Sequence, residues 1–149
     1  MAKLRSKRLA IVLSLNQKEL DTIGQQLSQH QEKLAQEQDK LSQLESYRDE
    51  YLSSVRSLRQ TDVQSMQRQR NFIQRMQLAC DQQGAMVQKV NEHCEAIMEL
   101  WHQQNQKISK LEDLIARYLK EEQALVDQQE QKLIDELSTQ KASRRMSAG

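Results

Sequence analysis

Residues 73–125 read IQRMQLACDQQGAMVQKVNEHCEAIMELWHQQNQKISKLEDLIARYLKEEQAL, and the period of this stretch decides the fold. Every seventh residue from Ile73 gives Ile73, Cys80, Val87, Cys94, Trp101, Ile108 and Ile115. A second row gives Met76, Gln83, Val90, Ile97, Gln104, Leu111, Tyr118 and Leu125. Rows interleaved at alternating three- and four-residue steps are the a and d positions of a coiled coil. Gly84 is the one helix-weakening residue in the stretch, and it lies off both rows. A glycine there costs about 1 kcal/mol relative to alanine without ending a long helix. A third row, Phe72, Ala79, Met86, His93 and Leu100, makes the apolar face wider than a two-helix seam requires.

The same period runs through the preceding segment. One row is Leu13, Leu20, Leu27, Leu34, Leu41, Arg48 and Val55; its companion is Asn16, Ile23, His30, Glu37, Leu44, Tyr51 and Leu58. Polar seam residues such as Asn16, His30 and Glu37 weaken a seam but specify its register. The phase breaks at 59–62, because sevens counted from Val55 land on Asp62 and Gln69 rather than Ile73. Thr61-Asp62-Val63-Gln64 fits a capping box with Thr61 as the N-cap. The expected fold is therefore all-α, an antiparallel two-helix coiled-coil hairpin whose second helix is the longer. As a single domain of residues 1–149 it has helix one at about 4–58, a turn at about 59–62, helix two at about 62–141 and a disordered tail at 142–149. One unbroken helix forming a long dimer is the alternative.

Facing residues of such a hairpin have numbers summing to roughly 117–124. At the lower value Leu41 meets Met76 and Leu27 meets Val90, while Leu34 faces Gln83 and Glu37 faces Cys80. The sequence does not choose among these registers. Leu4 then falls near residue 115, leaving 116–141 without a partner in the chain. Leu119, Val126 and Leu133 form an apolar row there, with Leu125 and Leu137 beside it, among Glu121, Glu122, Asp127, Glu130, Asp135 and Glu136. A helix with a narrow apolar stripe is marginal alone in water. It calls for a partner elsewhere; a solvated tail is the bland alternative.

Composition narrows the function. Charged residues are 29%, aromatics 3%, and there is no proline. With a mean hydropathy of −0.87, the chain can fill a seam but not a three-dimensional core. A net charge of +1 argues against broad nucleic-acid binding. The cations gather at the ends, as Lys3, Arg5, Lys7 and Arg8, and as Lys141, Arg144 and Arg145. The apolar run from Leu9 to Leu15 is too short for a signal-peptide core, and no stretch approaches the ~20 apolar residues of a membrane span. The expectation is a soluble cytoplasmic protein whose basic amphipathic start is compatible with anionic lipid. Cys80 and Cys94 lie ~21 Å apart along a helix and cannot pair; they read as reduced seam fillers. His30, His93 and His102 lack metal-ligand spacing. No phosphate loop, nucleophile elbow or paired-carboxylate site is present. No enzyme activity, cofactor, metal or small-molecule substrate is expected.

Four stretches carry a family resemblance. They are Arg8-Leu9-Ala10-Ile11-Val12, a basic and apolar opening; Leu44-Glu45-Ser46-Tyr47-Arg48-Asp49-Glu50-Tyr51; Asn71-Phe72-Ile73-Gln74 through Gln82-Gln83; and Glu130-Gln131-Lys132-Leu133-Ile134-Asp135-Glu136-Leu137. In this order, over nearly the whole chain, they resemble the FliJ family of the flagellar type III export apparatus. The chain departs from the family pattern in lacking glycine before the Phe segment and in having Met76 and Gln83 where the family commonly has Leu and His.

The resemblance implies a coiled coil similar to the central stalk of rotary ATPases. Its partners would be the hexameric export ATPase, whose ring assembly it promotes, the export-gate membrane protein, and flagellar export chaperones. It would sit in the cytoplasm, associated peripherally with the inner membrane through the export apparatus. Carried over by position, the gate-binding residues are Phe72, Met76, Ala79 and Gln83, and the ATPase-ring residues are Gln131, Lys132, Asp135 and Glu136. Rival readings are the equivalent stalk of a virulence injectisome, a generic coiled-coil spacer, and a nucleic-acid-contacting arm.

Overall fold

The computed structural model describes residues 4–57 and 62–148, which form two α-helices, α1 at Arg5–Ser57 and α2 at Val63–Ala148. The architecture is the antiparallel hairpin with the longer second helix. Both segments are rich in Leu, Gln, Glu and Lys, all good helix formers, and contain no proline. Neither helix is long and apolar enough over any window to cross a membrane among the described residues.

Residues 59–61 of the expected turn, Thr61 among them, lie outside the described residues. The start of α2 is capped by Asp62. Its carboxylate accepts from the backbone N–H of Gln64 at 3.1 Å and from the Ser65 hydroxyl at 3.4 Å. An aspartate caps as well as a threonine and favours the positive helix N-terminus. At the other end α2 continues to Ala148, so the segment 142–148, expected without regular structure, is helical and exposed. Lys141, Arg144 and Arg145 suit a helix C-terminus, where cations oppose the dipole.

The contacts between helices gather into two compact units, one of residues 21–102 and one joining residues 4–20 to 103–148. In the first, Ile23, Leu27, Leu34, Leu41 and Leu44 of α1 are half-buried, and Met76, Cys80, Val90 and Cys94 of α2 are buried. Gly24 lies against Trp101; a Cβ built on it would be 3.9 Å from the indole Nε1. That is an ordinary contact distance, so the indole, the largest side chain of the seam, sits beside Gly24 without requiring a glycine there. In the second unit, Leu9, Leu13 and Leu20 are half-buried on α1, while Ile108 and Gln104 are buried on α2.

Polar layers settle the register. Gln83 hydrogen-bonds Glu37 in the first unit, and Gln104 bonds Asn16 in the second. Each pair of numbers sums to about 120. The lower-end register, which sets Glu37 against Cys80 and Leu34 against Gln83, is thus displaced by one step of the heptad. The displacement gives Gln83 a hydrogen-bond partner in place of an apolar leucine, which would leave its amide unsatisfied.

Candidate interaction surfaces

The stripe Phe72, Met76, Ala79 and Gln83 lies along α2 at steps of four, three and four, one face of a helix. The fold brings the four together but turns most of them toward α1. Phe72 packs on Tyr51 with ring centroids 4.5 Å apart and planes tilted by 54°. It is the most open of the four, at 38% exposure. Met76 is buried and Ala79 half-buried.

Gln83 donates through Nε2 to the Glu37 carboxylate at 2.6 Å and to the Glu37 main-chain oxygen at 3.0 Å. This donated hydrogen bond is the chief reason the Glu37 carboxyl is held below its usual value. Partial burial opposes the effect, and Lys40, 3.4 Å away, reinforces it. The outer edge of Gln83 borders a shallow cleft formed with Lys40, Gln43, Leu44 and Tyr47 of α1. Tyr47, largely exposed, is the residue beside the stripe that a reading of α2 alone omits. The antiparallel register is the signal that points to it. A ligand approaching this stripe meets Phe72 first, then the Gln83–Tyr47 cleft, and reaches Met76 only by parting the helices.

The second surface begins where pairing of the helices ends. Glu122 accepts from the Ser6 hydroxyl at 2.6 Å and from the Ser6 backbone N–H at 3.2 Å. Arg5 lies over the Tyr118 ring, 5.6 Å from its centroid. Leu4 lines a groove with Leu119, Glu122, Leu125 and Val126. The expected pairing of Leu4 near residue 115 is therefore corrected: Leu4 lies against residues 119–126, where the Ser6–Glu122 hydrogen bonds hold the start of α1. The overhang starts at Gln123, not Ala116, and every described residue from there to Ala148 is exposed.

Gln131, Lys132, Asp135 and Glu136 lie together on this overhang, all exposed. Gln131 donates to the Asp135 carboxylate at 3.1 Å, one helical turn away. At 3.6 residues per turn, Val126, Leu133 and Leu137 project from the opposite side. The overhang thus presents a polar face and an apolar face, both open to a partner. A helix exposed on all sides suits a partner that surrounds it.

Among the described residues no group of His, Cys, Asp and Glu has the geometry to hold a metal ion. Cys80 and Cys94 are both buried free thiols.

A family model described as the flagellar FliJ protein matches residues 6–147. Comparison with curated proteins and with solved structures found no match.

Proposed function

The chain belongs to the flagellar FliJ protein family, a component of the flagellar export apparatus, and from that premise we propose that it acts there as a non-enzymatic stalk. In this reading the overhang of α2 enters the hexameric export ATPase and promotes its ring assembly. The hairpin links the ring to the export-gate membrane protein, and export chaperones dock along it. The protein works in the cytoplasm and reaches the inner membrane through these partners.

The observation that carries the reading is the overhang of residues 123–148. It extends about 39 Å at 1.5 Å per residue. Leu133, Ile134 and Leu137 on it are each more than half exposed. Closing protein around them removes apolar area at about 25 cal/mol per Å². Gln131, Lys132, Asp135 and Glu136 would meet polar groups on the other wall of the pore. Phe72 and the cleft edge of Gln83 would be the first points of gate contact, with Met76 and Ala79 supporting them from beneath.

The test is stimulation of the export ATPase by chains altered at Leu133 and Leu137. Stimulation lost with helicity intact supports the stalk; stimulation retained supports a spacer.

A further inference from the structure

The opening of α1 has two apolar faces where a hairpin helix needs one. Leu9 and Leu13 turn inward with Ser6 and Asn16 and are half-buried or buried. Ile11 and Leu15 turn outward and are 64% and 60% exposed. Positions 8, 11 and 15 follow one another at steps of three and four, so they share a face. The inward positions 6, 9, 13 and 16 interleave with them on the opposite side. Packing in the hairpin accounts for the second set only.

Charge marks the outer face further. Lys7 and Arg8 are exposed and lie beside the row formed by Ile11 and Leu15. No acidic residue occurs in the sequence before Glu19. Aliphatic side chains in a single row on a convex helix flank, with long-stemmed cations beside them, match a bilayer interface. The aliphatic groups reach the acyl boundary, and the lysine and arginine stems carry their charges to the headgroups. A protein groove that accepts the row needs no such run of cations free of acids; an anionic headgroup layer attracts each of them.

We propose that the outer face of α1 around Ile11 and Leu15 docks directly on anionic lipid, independently of the ATPase and the export gate. The contact is shallow and reversible, set by a few aliphatic side chains and a local cluster of cations.

The test is co-sedimentation of the full chain with vesicles of phosphatidylcholine alone, or containing about one-third phosphatidylglycerol. The protein is expected to pellet with the anionic vesicles only, and less as salt rises. Ile11→Gln with Leu15→Gln, and separately Lys7→Gln with Arg8→Gln, each weaken binding about ten-fold with unchanged helicity. Leu78→Gln, an equally exposed leucine elsewhere, leaves it unchanged. No pelleting on anionic vesicles at low salt, or full binding by both double variants, would overturn the proposal. Binding to polyglutamate without pelleting on vesicles would also overturn it and assign the face to an acidic protein.

Discussion

Gln104 and Asn16 form a buried polar pair across the seam. The Gln104 amide nitrogen lies 2.9 Å from Asn16 Oδ1 and 3.0 Å from the Asn16 main-chain oxygen. Asn16 in turn donates through Nδ2 to the Val12 carbonyl at 2.8 Å. The pair is satisfied in one register only, so it acts as a pin. Gln104→Leu should cost about 1–3 kcal/mol, because it leaves Asn16 Oδ1 without its donor in a dry site. Adding Asn16→Leu should recover most of that loss while loosening register. Thermal unfolding followed by circular dichroism measures the first effect, and disulfide trapping between engineered cysteines measures the second.

Glu37 gives the hairpin an acid-sensitive layer. Its carboxyl is lowered in the folded chain by the Gln83 hydrogen bond first, then helped by Lys40. A lowered carboxyl contributes stability that is fully present above its ordinary value and lost as pH falls through its lowered one. The melting temperature should therefore fall on acidification through that window. Gln83→Leu should flatten this part of the profile, and Lys40→Gln should flatten it less.

Gly84 is a removable weakness. A Cβ built on it meets nothing within 4 Å, and its backbone is helical without positive φ. Gly84→Ala should stabilise the hairpin by about 0.5–1 kcal/mol. The same change at Gly24 brings the new methyl into ordinary contact with Trp101. Denaturant unfolding of both variants measures the gain.

Phe72 and Tyr51 share one ring contact but not one proposed role. Phe72→Ala and Tyr51→Ala both remove the pair and should lower stability by a similar amount, about 1 kcal/mol beyond lost area. Only Phe72→Ala should weaken gate binding, by about ten-fold, which corresponds to about 1.4 kcal/mol. Equal losses in a pull-down with the gate's cytoplasmic domain would mean that Phe72 acts through the fold alone.

The heptad rows made the seam legible. Ile73, Met76, Cys80, Gln83 and their successors through Tyr118 are all buried or half-buried, because burial in a coiled coil follows position in the period. Register was not legible, because leucines at successive heptads pack about equally well when slid. The structure fixes it by polar groups that need named partners, Asn16 with Gln104 and Ser6 with Glu122. The gate stripe was legible as a stripe but not as a surface. Whether Gln83 points out or in depends on Glu37, a residue far away in sequence. The end of α2 was not legible for a related reason: 142–148 has no seam residues, yet its Ala, Arg and Met residues sustain a helix without a seam.

The central claim is that the overhang of α2 works by inserting into a partner. Leu133→Asp with Leu137→Asp places charge on its apolar face, far from every seam contact. The direct measurement is ATP hydrolysis by the purified export ATPase at a fixed low concentration, with and without this chain. The account predicts that the double variant keeps its helicity and melting temperature and loses at least about 90% of the stimulation, since burying either charge costs several kcal/mol. Full stimulation by the double variant would contradict it.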